Sequence, residues 1–233
     1  MSRSDPTNAL CYPLHDRDCA EKRLSKLKGV GVLRVVRLLG KGHSSTVLEV
    51  ELASGARAAL KILRIDSKRD SLLQECSLMK KAYPLAPEVI TCGDDYVVME
   101  LVSGTPAVDT LKLGENIVTN VLKILSSGRG LDILGVDHEE LSRADKHVVI
   151  THRGTVKILD YESASPSDHP RNLCRLISWT LHRVLGLDLG STEIASLLRK
   201  YKETGEPERR EVFRELVTHI RGVLENRQQV KPA

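Results

Sequence analysis

Residues able to handle phosphate follow one another between positions 39 and 75 of this 233-residue chain. Gly40-Lys41-Gly42, with Ser44 and Ser45, can lay backbone N–H groups and hydroxyls against phosphate oxygens. Lys61, which closes Ala59-Leu60-Lys61, can reach the same oxygens as a cation, and Glu75 can fix that lysine by an ion pair. Lys61 comes fourteen residues after Val47, and Glu75 fourteen after Lys61. Each residue alone is ordinary, since glycines punctuate turns and surface lysines snorkel. In this order they describe a grip on ATP. Strand alternation puts Val47, Ala59 and Lys61 on one face, so Leu39, Val47 and Ala59 would wall the adenine and Met99-Glu100-Leu101 would offer backbone groups to its edge. A dinucleotide fingerprint is disfavoured, because these glycines lie between two antiparallel-type strands rather than between a strand and a helix.

A second group of acidic residues follows. Asp160 ends the apolar run Val156 to Leu159 and could hold Mg²⁺ across two phosphates. Upstream, in His138-Glu139-Glu140-Leu141-Ser142, Glu140 is a carboxylate able to accept or orient a hydroxyl proton, two residues after a structural His138. For a second metal ligand, Asp145, Lys146 and His147 all fall in the expected window. Asp145 is favoured because hard cations prefer oxygen, whereas Lys146 could contact a phosphate.

From Leu33 to Arg175 the chain resembles the protein kinase superfamily, and more narrowly the small atypical RIO-like kinases, including a predicted serine/threonine kinase family of archaea. The residues that carry the resemblance are Leu39 to Val47, Ala59-Leu60-Lys61-Ile62-Leu63-Arg64, Glu75, His138 to Ser142 and Ile158-Leu159-Asp160-Tyr161-Glu162-Ser163-Ala164-Ser165. It implies a bilobal fold, ATP and Mg²⁺ as cofactors, Lys61 on the phosphates with Glu75 as its partner, Glu140 in the base position and Asp160 on the metal. The departures are Ser45 for the third loop glycine, Glu140 for Asp, and Tyr161-Glu162 for Phe-Gly. Eleven residues separate Asp160 from Asn172, with no Ala-Pro-Glu-like motif, so a long activation segment is missing.

The elements that must position these residues are legible from periodicity. Leu33–Leu38, Val47–Leu52 and Ala58–Ile65 read as an antiparallel meander. A helix capped by Asp66 or Ser67 follows, with Leu72, Leu73, Cys76, Met79 and Ala82 in its apolar pattern. Val89–Cys92 and Tyr96–Leu101 complete a five-stranded sheet with one helix, and Ser103-Gly104-Thr105-Pro106 marks the lobe boundary. Beyond it lie a helix over 115–134 interrupted near Gly128–Gly130, short strands at 148–151 and 156–159, and helices over 172–185, 191–204 and 207–226. The expected fold class is α+β, with an N-terminal extension at 1–28, an ATP-binding lobe at 29–103 and a small, mainly helical lobe at 104–233.

Composition narrows the function classes. The apolar fraction of 41% supports a buried core, and no apolar run approaches the roughly 18–20 residues of a membrane span. The polar N-terminus has no leader pattern, so a cytoplasmic location is expected. Five cysteines at wide spacings, with no C-x-x-C pair, argue against zinc, and Cys76 and Cys174 read as small buried hydrophobes. A net charge of +4 is too weak to imply nucleic acid by itself. Basic clusters at 22–28, 61–69 and 209–210 nevertheless admit a ribosomal or RNA-rich partner. The leading expectation is phosphoryl transfer from ATP to a protein Ser or Thr, the chain itself included. The alternatives are an ATPase switch in ribonucleoprotein assembly and a small-molecule kinase. A pseudokinase is disfavoured by the presence of Lys61, Glu75 and Asp160.

Overall fold

The computed structural model describes residues 5–14, 16–190 and 193–230. Val32–Lys41 (β1), Ser45–Leu52 (β2), Arg57–Leu63 (β3), Val89–Cys92 (β4) and Tyr96–Glu100 (β5) form one antiparallel sheet ordered β1-β2-β3-β5-β4. Val47 lies opposite Lys61, Lys61 opposite Val97 and Ala59 opposite Met99. Alternation therefore places all five on one face and Leu48, Val50, Leu60, Ile62 and Val98 on the other. This is the expected five-stranded sheet in an α+β chain.

Both faces of the sheet are covered, where the sequence led us to expect a single helix. Leu73–Ala82 (α2) packs on the face of Lys61, and Arg17–Lys28 (α1) on the other. The sequence of α1 is largely charged, but Ala20, Leu24 and Leu27 make a narrow helical stripe. With Ala9, Leu10 and Cys11 from the 3₁₀ turn Pro6–Cys11 they join the core of Leu48, Val50, Leu60 and Ile62. Leu48, Leu60 and Ile62 are at most 1% exposed, and each such side chain stabilises the fold by about 1.5–3 kcal/mol. Half-buried Arg23 ties this layer to the sheet by donating 2.7 Å hydrogen bonds to the carbonyls of Leu10 and Leu63. The expected extension thus contributes to the first unit's core, although its residues 1–4 and 15 lie outside the described residues.

Helix α2 begins at Leu73, later than Asp66 or Ser67 would have it. Arg64 takes both Asp66 oxygens, and the Ser67 hydroxyl accepts from Arg69 N–H. Ser71 Oγ accepts the Leu73 N–H instead, at 3.1 Å.

The described residues divide into two compact units. The first runs to Tyr83 and includes Pro87–Val102; the second comprises Pro84–Ala86 and the residues from Ser103. In the second, Gly104–Pro106 (β6), Val148–Thr151 (β8) and Val156–Ile158 (β9) form a small sheet, and Val136–Asp137 (β7) pairs with Ser165–Pro166 (β10). The helices are Ala107–Leu113 (α3), Ile117–Ile133 (α4), Asn172–Ile177 (α5) continuing as a π turn over Ser178–Val184, Glu193–Glu203 (α6) and Glu208–Val230 (α7). The expected start of α6 at Ser191 lies outside the described residues.

Helix α4 runs unbroken through Gly128 and Gly130, where an interruption was expected. Both glycines serve close packing: a Cβ on Gly128 would come within 2.7 Å of Leu176 Cδ1, and one on Gly130 within 2.7 Å of Leu85 Cδ1. No helix among the described residues is long and apolar enough to cross a membrane.

Two disulfides were not foreseen. Cys11 is bonded to Cys19 and Cys76 to Cys92, so Cys76 is a cross-link between α2 and β4 rather than a small hydrophobe. Cys174 is free and buried, as expected. Such bonds are ordinary in oxidising compartments and in hyperthermophile cells, and rare in other cytosols.

Candidate active site

In the first unit the site is built on β3 and α2. Lys61 Nζ donates to Glu75 Oε1 at 2.7 Å, with the side chains 5% and 1% exposed. The other Glu75 oxygen meets Arg69 Nη1 at 3.2 Å. A carboxylate buried to this degree is tolerable because two cations flank it, and removing either would leave charge uncompensated. Cys76, the next residue, is bonded to β4, which fixes the helix turn that carries Glu75.

The loop between β1 and β2 closes on itself. Gly42 N–H donates to Ser45 O at 2.8 Å, and Arg64 Nη1 donates to Gly42 O at 3.2 Å. A Cβ on Gly42 would sit 3.1 Å from Ser45 O, whereas nothing lies within 4 Å of one on Gly40. Ser44 and Ser45 are buried. Lys41 Nζ and the Arg64 guanidinium lie 4.2 and 4.8 Å from the centre of the Tyr12 ring, so the segment before α1 underpins the loop. Ala59 is buried and Leu39 is exposed; Val47, Met99, Glu100 and Leu101 are half-buried. Glu100 N–H is engaged with Glu88 O at 2.8 Å.

In the second unit, pairing of β7 with β10 sets the residues after Asp137 beside those before Ser165. Two non-glycine residues here hold positive φ: Glu139 at 61° and Asp160 at 64°. Glu140 N–H donates back to His138 O at 2.7 Å, making Glu139, with ψ −35°, the centre of a γ-turn of the strained hand. Backbone strain of this kind costs about 1–3 kcal/mol per residue and concentrates at functional sites.

That turn presents the two glutamates to two serines. Ser165 Oγ donates to Glu139 Oε1 at 2.9 Å, and Ser163 Oγ donates to Glu140 Oε1 in a short hydrogen bond. The other oxygen of Glu140 is 3.1 Å from His147 Nε2. Of the three candidates for a second metal ligand, His147 touches Glu140, Asp145 Oδ2 lies 3.9 Å from Arg183, and Lys146 is exposed.

His138 is a support for the loop. Its ring is hydrogen-bonded to Leu159 O at 3.0 Å and packs edge-on against Tyr161 and His147. Burial lowers its pKa, so the ring is neutral. The Tyr161 hydroxyl is buried, and burial pushes its pKa up, leaving it a phenol.

Asn172 holds the turn in place. Its Oδ1 accepts from His138 N–H, its Nδ2 donates to Val136 O and Asp132, and Asp132 accepts in addition from Leu173 N–H and Tyr201 OH. Burial raises the Asp132 pKa against these donors, which pull it down. Arg175 pairs with Asp137 at the start of the turn, and Arg129 bridges Tyr201 and Glu206.

The predicted residues thus gather as one set in each unit: Lys61, Glu75 and the glycine loop in the first, His138, Glu140 and Asp160 in the second. Reading the sequence missed Arg69, Ser163 and Asn172 as parts of the site, and weighed His147 as a metal ligand rather than as the partner of Glu140. The one available signal was Asn172, a lone buried-type amide opening an apolar helix. Two of the three basic clusters are structural: Lys61, Arg64 and Arg69 pair with Glu75 and Asp66, and Arg209 is buried, donating to the carbonyls of Tyr201 and Thr204. Compared with protein-family models and with curated proteins, the chain has no match.

Proposed function

We propose that the chain is a Mg²⁺-dependent kinase that transfers the γ-phosphoryl group of ATP to a Ser or Thr hydroxyl of a protein. The observation that carries this reading is the Lys61–Glu75 pair, 2.7 Å long and almost fully buried. A buried ion pair is at best weakly stabilising, so a lysine kept in this setting is better accounted for by use than by stability. Held by Glu75, the Lys61 ammonium is the cation that meets the phosphate oxygens. The loop from Gly40 to Ser45 adds backbone N–H donors.

Glu140 acts on the acceptor, taking the hydroxyl proton as the new bond forms. His147, on its second oxygen, keeps the carboxylate oriented. The strained turn at Glu139 and the support from Asn172 and His138 hold Glu140 in place before substrate arrives, which is where most of such catalysis resides.

Mg²⁺ suits the oxygen donors Asp160 and Asp145. Mg²⁺ takes only one or two protein carboxylates and completes its shell from phosphates and water. When bound, the ion neutralises phosphate charge and orients the leaving group.

The test is incubation with γ-labelled ATP and Mg²⁺, following labelled protein and free phosphate together, with Asp160→Ala as the control. Label on protein that vanishes in the variant is the expected result. Free phosphate alone, stimulated by RNA or ribosomal particles, would replace the kinase with an ATP-driven switch. Transfer only to a small acceptor would make it a small-molecule kinase, and no turnover of ATP would overturn the reading.

A further inference from the structure

The hydroxyl that a Ser/Thr kinase would phosphorylate must donate its proton to the base, and Glu140 already has such a donor. Ser163 Oγ bonds to Glu140 Oε1, on an exposed residue three positions after Asp160. The contact follows from the backbone: the β7–β10 pairing and the turn at Glu139 bring the two residues together. Ser165, two residues on, goes to Glu139 instead. Glu140 therefore has one oxygen on His147 and the other on a serine hydroxyl, the arrangement that general-base activation of an alcohol requires.

We propose that Ser163 is a phosphorylation site of the chain's own making: the acceptor hydroxyl for a transfer within one molecule, activated by Glu140. The inference rests on the kinase reading above and names one acceptor for it. In the step, Ser163 Oγ bonds to the γ-phosphorus of ATP as the bond from that phosphorus to the β,γ-bridging oxygen breaks. The electron pair leaves with ADP, and the hydroxyl proton passes to Glu140 Oε1 and on to solvent. The product has a consequence for the site. A phosphate on Ser163 adds about −1.5 to −2 charge next to Glu139, Glu140 and Glu162, and it withdraws the hydrogen bond from Glu140. Modification is self-limiting, at one phosphate per chain.

The experiment is mass spectrometry of the full chain after incubation with ATP and Mg²⁺, with the modified peptide sequenced. The expected result is one phosphoryl group on Ser163, formed at a rate independent of protein concentration. Glu140→Gln slows its formation by about 10²-fold or more. Ser163→Ala removes the label, Ser165→Ala keeps it, and Ser163→Thr yields phosphothreonine at the same position, which a merely structural serine would not do. Phosphate on other residues, with Ser163 unmodified, overturns this inference while leaving the kinase reading standing; ATP consumed with only free phosphate formed overturns both. A rate that rises with protein concentration overturns transfer within one molecule. If the wild-type chain neither transfers phosphate nor consumes ATP, both fall.

Discussion

Asn172 Oδ1 accepts a 2.9 Å hydrogen bond from the backbone N–H of His138, thirty-four residues earlier in the chain. The same amide donates to Asp132 and to Val136 O, so one fully buried side chain ties α4, β7 and α5 to the Glu139 turn. Asn172→Ala orphans several of these groups at once and should cost about 2–4 kcal/mol, since each buried group left unpaired costs about 1–3 kcal/mol. Asn172→Asp should cost more near neutral pH, because it sets a second carboxylate against Asp132. Denaturant unfolding of the three proteins checks the ranking; an Asp variant as stable as wild type would refute the network.

Lys61 separates function from stability. Lys61→Met should reduce phosphoryl transfer by about 10²-fold or more and destabilise the fold, because the buried Glu75 carboxylate loses the ammonium that it meets at 2.7 Å. Adding Glu75→Leu should restore most of the stability, as apolar replacement of a buried pair generally does, without restoring transfer. Recovery of turnover in the double variant would remove Lys61 from the chemistry.

His138 has a pH signature. Burial holds its pKa below the usual 6.5, so the folded ring stays neutral at pH values where the unfolded chain takes up a proton. Its stabilisation is complete above about pH 6.5 and is lost as pH falls through the folded value. Unfolding free energies of wild type and His138→Gln, followed from about pH 8 to about pH 5, should show a steeper acid loss in the wild type. Parallel curves would mean that the ring titrates alike in both states.

Gly128 opposes helix propensity to packing. Gly128→Ala should gain up to about 1 kcal/mol as a helix residue, yet its Cβ would meet Leu176 Cδ1 at 2.7 Å and the Leu173 backbone at 3.2 Å. Overpacking costs about 1–3 kcal/mol, so a net loss in thermal midpoint is expected.

The cysteines can be counted. All five lie in the described residues, and four are paired. Burial raises the Cys174 thiol to about 11, so no thiol should react with a thiol reagent in the native protein at neutral pH. One should react after denaturation, and five after reduction as well. Loss of the Cys76–Cys92 bridge, across sixteen residues, should cost about 3 kcal/mol and loosen the helix that carries Glu75.

The sequence alone determined the five strands, the face shared by Val47, Ala59 and Lys61, and the nomination of Glu75, Glu140 and Asp160. Those features follow from a two-residue period, a helical period and local spacing, all of which survive without tertiary context. What decided the rest lies far apart in the chain. Helix α1 is mostly charged, and it became a core element only because the rear of the sheet needed covering. Gly128 and Gly130 looked like helix breakers until neighbours close enough to exclude a Cβ appeared. The pairing of Cys76 with Cys92 depends on a helix and a strand meeting in space. Ser163 meets Glu140, twenty-three residues away, because β7 pairs with β10, a long-range pairing that no motif around the serine encodes.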